Sequence, residues 1–314
     1  MGPTACGKTS LSLSLAQALD AEIISVDSAL VYEGMDVGTA KPSAEEQALI
    51  PHHLIDVRKI WQSYSAAEFC ADANRLISQI HARGKRALLA GGTMLYFKAL
   101  EEGLAELPEA DEAVRAELKA QAERDGWISL HNELQTVDPV SAQRIHPNDP
   151  QRLQRALEVY RLTGKPLSEL HSQKQSGLRV APLKIAMIPT ERAWLHQRIE
   201  QRFVSMIDSG FVDEVRHLRK DSRIHAELPA MRSVGYRQLW RYLDQQADSD
   251  KLNVSNSDEW VMQAIAATRQ LAKRQLTWLR SMHNVTTLAC DTLPAEQQQI
   301  AITTSLERHE SLFR

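Results

Sequence analysis

Gly2-Pro3-Thr4-Ala5-Cys6-Gly7-Lys8-Thr9 is a complete G-x-x-x-x-G-K-[ST] pattern, and the run from Ser10 to Leu19 behind it reads as helix. Loops of this pattern grip di- or triphosphates for three physical reasons. Backbone N–H groups of the loop and of the helix N-terminus point at the anion, a lysine (here Lys8) reaches the terminal phosphates, and a hydroxyl (here Thr9) can ligate Mg²⁺. Gly2 through Thr9 are therefore the candidate diphosphate site, with Thr9 the candidate metal ligand. Such a loop normally follows a buried strand. A single residue precedes Gly2, so Met1 is expected to be an internal methionine of a longer gene product.

Beyond the loop, short apolar runs read as strands: Glu22 to Val26, His53 to Val57, Arg86 to Ala90 and Leu183 to Ile188. Helical sequence lies between most of them, which predicts an α/β fold with a parallel sheet flanked by helices. Ser43-x-x-Glu46 and Ser65-x-x-Glu68 read as capping boxes, the second opening a helix that runs to about Ala82 and stops at Gly84. Between Gly103 and about Pro182 strand signals vanish, and Asp111 to Arg124, Ser141 to His146 and Pro150 to Leu162 read as helices. The expected organisation is a discontinuous catalytic core, 1–105 and 181–314, interrupted by an all-helical insertion, 106–180. In the core, long helices are expected at about Glu191 to Ile207 and Trp260 to Arg280, with the polar, acidic stretch Asp244 to Asp258 as a solvated loop.

The 314 residues suffice for a large core. Cys6, Cys70 and Cys290 are scattered and odd in number, which indicates neither a disulfide framework nor a zinc site and fits a reducing compartment. No apolar run approaches the roughly 18 to 20 residues of a membrane span, so a soluble, cytoplasmic protein with no membrane partner is expected. The net charge of −3 offers no global attraction for nucleic acid. Any such partner must be held by local basic faces.

Asp27 follows the first strand, at the carboxyl end where ligands of parallel sheets bind. It is a candidate general base or metal ligand, and a turn or cap aspartate is the structural alternative. The strand ending at Ala90 runs into Gly91-Gly92-Thr93, where many P-loop ATPases place a metal-binding aspartate. Arg232, in Leu228-Pro229-Ala230-Met231-Arg232-Ser233-Val234-Gly235-Tyr236-Arg237, is a candidate for bidentate grip on a leaving diphosphate. In the helix ending at Arg280, Arg269, Lys273 and Arg280 fall within roughly 40° of one another at 100° per residue, apart from the apolar arc of Leu271, Ala272 and Leu279. Leu276 lies at the boundary, Arg274 stands on the far side, and no acid interrupts Ala264 to Arg280. The face suits an anionic partner better than plain solvation. A second such surface is Ile145 to Arg155, where Asp149 caps a helix starting at Pro150 and Gln151, Arg152 and Arg155 project from its first turns.

Together with Ser25-Val26-Asp27-Ser28-Ala29-Leu30-Val31-Tyr32, Gly38-Thr39-Ala40-Lys41-Pro42, Gly91-Gly92-Thr93-Met94-Leu95-Tyr96, His146-Pro147-Asn148-Asp149 and Thr268-Arg269-Gln270-Leu271-Ala272-Lys273-Arg274-Gln275, these motifs resemble the tRNA dimethylallyltransferases, also called tRNA isopentenyltransferases. Cys6 stands where that family usually has serine. The resemblance implies transfer of a dimethylallyl group from dimethylallyl diphosphate to N6 of the adenosine just 3′ of the anticodon, position 37, with Mg²⁺ and the loop holding the diphosphate. Asp27 would be the base, Thr93 would help place the flipped adenine and Arg232 would assist the leaving group. The tRNA anticodon stem-loop would be contacted by Asp27, Ser28, Ala29, Leu30, Thr93, Arg115, Gln151, Arg152, Leu153, Gln154, Arg155, Arg232, Ser233, Val234, Gly235, Tyr236, Arg237, Lys273, Arg274, Gln275, Leu276, Thr277, Trp278, Leu279 and Arg280. A monomer is the expected state. Two other readings compete: a P-loop small-molecule kinase, disfavoured by the missing strand-end aspartate, and a nucleotide-gated RNA-binding module, which would leave Asp27 idle.

Overall fold

The computed structural model describes residues 1–172, 177–178, 182–246 and 258–311. The loop leads into helix α1, Lys8–Ala18, and then strand β1, Ala21–Val26, every residue of which is buried. Such all-round burial is what a central parallel strand requires, and the continuous run Ile23, Ile24, Val26 supplies the apolar surface. Helix α2, Ala44–Leu49, and helix α3, Ala66–Ala82, both open on the expected reciprocal capping boxes at Ser43 and Ser65. Strand β2, His52–His53, lies between these helices, and strand β3, Arg86–Gly91, follows α3. The three strands form a parallel sheet in the order β2-β1-β3, with Ile23 opposite Leu88 and Val26 opposite Gly91.

The expected strand from His53 to Val57 is shorter in the structure. Leu54 and Asp56 adopt left-handed φ values of 63° and 53°, which bends the chain out of the sheet after His53. Helix α4, Met94–Glu102, leads away from β3.

The chain divides into two units, Met1–Lys98 with Val180–Arg314, and Ala99–Arg179. The second unit is helical: α5, Glu112–Asp125; α6, Trp127–Val137; α7, Pro139–Arg144; α8, Pro150–Thr163; and α9, Leu167–Ser172. Its core gathers Leu118, Leu130, Leu134, Leu153, Leu157 and Val159. Helix α7 starts before the expected Ser141 because the Asp138 carboxylate caps it and Pro139 takes its first position.

The first unit resumes with strand β4, Ile185–Met187, narrower than the apolar run suggested, then α10, Arg192–Asp208, and α11, Phe211–Arg219. Helix α12, Tyr236–Asp244, helix α13, Glu259–Ser281, strand β5, Thr286–Leu288, and helix α14, Ala295–Ser311, complete it. β4 and β5 pair in parallel, and the Met1 ammonium donates to the Ile185 carbonyl while the Met187 N–H donates to the Met1 carbonyl. Leu11 and Leu15 of α1 pack with Met187, Leu288 and Ile302, which fixes the phosphate loop over that core. Of the stretch expected as a solvated loop, Asp244 ends α12 and Asp258 directly precedes α13, while 247–257 lie outside the described residues. Among the described residues no helix is long and apolar enough to cross a membrane.

Candidate active site

Ala5 and Gly7, at φ 63° and 92°, turn the loop through two left-handed positions before α1 begins. Gly7 brings no side chain to cap that helix, so its first N–H groups remain available to an anion. Lys8 Nζ is folded back onto the Pro3 carbonyl at 2.6 Å, and the exposed Thr9 hydroxyl has no hydrogen-bond partner among the described residues. Thr4, Ala5, Lys8 and Thr9 line a cleft of about 620 Å³. Gly2, Pro3 and Cys6 are buried behind the loop and give it shape. The Cys6 thiol lies in the apolar cluster with Cys290, and its hydrogen bond with Cys290 holds it below the usual thiol range against the opposing effect of burial.

Two side chains from distant segments fasten the loop. Gln275 Oε1 accepts from the Thr4 N–H at 2.9 Å while its Nε2 donates to the Gly92 carbonyl at 2.8 Å. Arg198 Nε donates to the Ala5 carbonyl at 2.8 Å, and its guanidinium stacks 4.9 Å from the Trp194 ring. The glycine pair after β3 is explained by crowding: a Cβ on Gly91 would lie 2.1 Å from the Val26 carbonyl oxygen, and one on Gly92 would lie 2.5 Å from Gln275 Nε2.

Asp27, Ser28, Ala29 and Leu30 form another part of the cleft wall. Asp27 Oδ1 accepts from the Ala29 N–H at 2.8 Å, an Asx-turn contact, and the other carboxylate oxygen has no donor among the described residues. The Asx turn thus uses one carboxylate oxygen of Asp27 and leaves the other on the cleft. Thr93 Oγ1 accepts from the Ser28 N–H at 3.0 Å and donates to Ser28 Oγ at 3.3 Å, which ties the β3 end to the β1 end.

Arg232 ends a short turn of 3₁₀ helix, Ala230–Arg232, and lines the cleft with Ser233, Val234 and Tyr236. Its guanidinium is 58% exposed and pairs with Glu227 at 3.2 Å, so the resting side chain is engaged by a surface acid. Gly235 and Tyr236 are buried, and Arg237 lies instead on a smaller cavity with Trp240 and Arg241. Glu214 accepts from the N–H groups of Asp36, Val37 and Gly38 and from the Tyr236 hydroxyl, joining the Gly38–Pro42 wall to the Arg232–Arg237 segment.

Along α13, Arg274, Gln275 and Trp278 line the cleft. Lys273, Arg274, Thr277 and Arg280 are exposed, and none of the three cations has an acidic partner among the described residues. Arg269, by contrast, pairs with Glu200 at 3.0 Å. Leu276 and Leu279 are core residues, 7% and 3% exposed, so the expectation of RNA contact does not fit their burial. Gln275 is likewise spent on fastening the loop.

In the helical unit Gln151 and Arg152 are exposed, and Asp149 caps α8 as expected through the Arg152 N–H. Leu153 is fully buried in that unit's core and cannot serve as the expected contact. Arg115 and Arg155 both bind the buried Glu158 carboxylate, each at 2.7 Å, and Gln154 donates to the Arg115 carbonyl. Burial pushes the Glu158 pKa upward, yet the two arginines and the Asp111 N–H hold it below the ordinary carboxylate value.

Sequence reasoning missed Arg198 and Arg202, one turn apart on α10, the latter on the cleft. The available signal was arginine at i and i+4 beside the buried line Leu195, Ile199 and Phe203.

A phosphate-loop pattern opening a helix, a partly unspent carboxylate on the same cleft and a glycine pair in place of a strand-end aspartate define a protein of the P-loop α/β class, with a cleft chemically suited to a phosphorylated ligand. Similarity to known proteins narrows that class. A family model described as IPP transferase matches residues 30–282, and the chain belongs to that family. A tRNA dimethylallyltransferase of Methylibium petroleiphilum is 56% identical over 308 residues, covering 97% of this chain and 92% of that protein. The full-length tRNA isopentenylpyrophosphate transferase of Bacillus halodurans superposes with a TM-score of 0.68 at 37% identity, covering 99% of this chain and 96% of its own. A eukaryotic dimethylallyltransferase, studied in crystallographic snapshots acting on tRNA, gives a TM-score of 0.78 at 26% identity over 98% of this chain and 78% of that one.

Proposed function

We propose that this protein transfers a dimethylallyl group from dimethylallyl diphosphate to N6 of adenosine 37, 3′ of the anticodon in tRNA, and releases diphosphate. The observation that carries this reading is the shared cleft: Lys8 and Thr9 of the phosphate loop and the Asp27 carboxylate all line it. In the reaction the allylic carbon–oxygen bond breaks, its electron pair leaves with the diphosphate, and the adenine N6 forms the new carbon–nitrogen bond. Lys8 neutralises the developing charge on the leaving group. N6 is a poor nucleophile because its lone pair is delocalised, so Asp27 takes the N6 proton as the bond forms.

Mg²⁺ fits this donor set. The Thr9 hydroxyl has no partner among the described residues and lines the cleft, so it is the residue that would hold a magnesium ion, a cation that prefers oxygen ligands. Bound there, it would supply further neutralisation of the diphosphate. The adenosine reaches the cleft by extrusion from the anticodon loop, with Thr93 and Ser28 at the strand ends shaping the floor on which the base rests. The exposed cations Lys273, Arg274 and Arg280 of α13, and Gln151 and Arg152 of the helical unit, bind RNA phosphates.

Mass spectrometry of unmodified tRNA, incubated with the protein, Mg²⁺ and either dimethylallyl diphosphate or ATP, tests the reading. A prenyl adduct on the anticodon-loop adenosine that depends on the allyl diphosphate supports it. ATP consumption without an adduct would move the protein to the kinase class.

A further inference from the structure

Behind the phosphate loop, the carboxyl ends of β4 and β5 bring two distant cysteines together. A Cβ on Gly2 would lie 2.7 Å from Cys6 Sγ and 3.1 Å from the Met187 carbonyl oxygen, which sets the Cys6 sulfur beside the end of β4. In the paired strand Met187 stands opposite Leu288, and Cys290 follows two places later. Both cysteines enter one apolar cluster with Leu11, Leu15 and Leu288, and they are only 2% and 8% exposed. There the Cys290 thiol donates a hydrogen bond to the Cys6 sulfur, and no disulfide joins them.

The third cysteine makes the contrast. Cys70 is half-buried on α3, and burial alone acts on its thiol, raising it to about 11. The Cys6 sulfur has Cys290 as donor and Lys8 Nζ at 4.0 Å, and these two hold its thiol below the usual range against the opposing effect of burial. A thiolate is the form that attacks an oxidant, and a second cysteine in contact with it resolves the product. Serine, the usual residue of the family at this position, has no such chemistry.

We propose that Cys6 and Cys290 form a reversible dithiol–disulfide site, oxidised by hydrogen peroxide and reduced again by a small dithiol, that changes the shape of the phosphate loop and so its affinity for diphosphate. The effect on affinity rests on the reading of that loop as a diphosphate site, and the bond itself does not. The Cys6 thiolate attacks one peroxide oxygen, the O–O bond breaks, and its electron pair leaves as hydroxide, which takes up the thiol's proton as water. The Cys290 thiol then attacks the sulfenic Cys6 sulfur, forms the S–S bond and releases a second water. Two thiols and one hydrogen peroxide give one disulfide and two waters, with two electrons passing from sulfur to oxygen. A dithiol reverses this by exchange and ends as a disulfide itself. An S–S bond is about 2.05 Å long, much shorter than a hydrogen-bonded sulfur pair, so closing it draws Cys6 toward Cys290. Gln275 and Arg198 hold the loop at Thr4 and Ala5. The displacement therefore falls on the turn from Cys6 into α1, whose N–H groups face the anion.

The test treats the reduced full chain with hydrogen peroxide, alkylates the remaining thiols and maps peptides by mass spectrometry without reduction. A linked Cys6–Cys290 peptide that disappears after dithiothreitol is expected. Inorganic diphosphate with Mg²⁺ is then titrated by calorimetry into reduced, oxidised and re-reduced protein. Oxidation should weaken binding roughly 10- to 100-fold, the loss of one charge-assisted hydrogen bond, and dithiothreitol should restore it. Cys290→Ala should bind diphosphate as wild type does and keep that affinity in peroxide, and Cys70→Ser should respond as wild type does. Absence of the linked peptide, oxygenation of Cys6 alone, or a linked protein whose diphosphate affinity stays within about two-fold of the reduced form would each overturn the proposal. An equal loss of binding in peroxide-treated Cys290→Ala would do the same, and reduced wild type that binds no diphosphate would overturn both readings. If the bond forms and weakens diphosphate binding in a protein that prenylates no tRNA, the transferase reading fails while the redox site stands.

Discussion

Gln275, on α13, holds the backbone of Thr4 in the phosphate loop at 2.9 Å, across 271 positions of sequence. With its other end on Gly92, this buried carboxamide joins the loop to the turn after β3. The phosphate site is thus stabilised by a helix far away in the chain, and a defect in that helix is expected to appear first as weak diphosphate binding.

Gln275→Ala leaves the Thr4 N–H and the Gly92 carbonyl without their partner. It should destabilise the fold by about 1–3 kcal/mol and weaken diphosphate binding. Denaturant unfolding and calorimetric titration with diphosphate check the two effects, and wild-type values for both would show that the clamp is dispensable.

Asp27→Asn preserves the turn to Ala29 and removes the proton acceptor. Prenyl transfer should fall by about 100- to 10,000-fold while tRNA affinity stays at the wild-type value. Single-turnover kinetics beside filter binding separate these quantities. Equal turnover would remove Asp27 from the role of base.

Replacing Lys273 and Arg280 with alanine should lower tRNA affinity and flatten its dependence on salt, by roughly 0.7 to 0.9 in the log–log slope for each phosphate no longer neutralised. Diphosphate affinity should not follow. An unchanged slope would make the α13 cations a solvated face.

Glu158 stabilises the helical unit in a pH-dependent manner. Its folded pKa lies below the unfolded value of 4.5, so the contribution is fully present above that value and is lost as the pH falls through the folded pKa. Both arginines reach solvent, at 44% and 29% exposure, so Glu158→Gln should cost about 2 kcal/mol, short of the 3–5 expected for a fully buried pair. Urea midpoints from pH 3 to pH 7 should fall toward acid in wild type and vary less in Glu158→Gln. Parallel profiles would mean that another carboxylate dominates.

Much of this arrangement is legible in the chain because it depends on local chemistry. The phosphate loop, the caps at Ser43, Ser65 and Asp149 and the position of Asp27 are set by residues within a few places of one another. Gln275 was visible only as part of a basic helix, since its clamp on Thr4 and Gly92 exists only once the chain has folded. β5 was missed because Thr286 and Thr287 are exposed and leave just Leu288 as an apolar mark. Leu153, Leu276 and Leu279 sit beside surface-reaching neighbours in sequence, yet the helical period turns them inward. Arg202 was hidden for a related reason: in a helix rich in charge, sequence does not reveal which arginine will line the cleft with no acid partner among the described residues.

Glu214 anchors three successive amides of the 36–38 segment to α11, and the same carboxylate receives the Tyr236 hydroxyl at the start of α12. That rim of the cleft is therefore tied to the helix behind it. When substrate enters or product leaves, the rim travels with the helix behind it, so its opening belongs with the slower, collective motions of packed elements and not with the rapid flutter of a free loop.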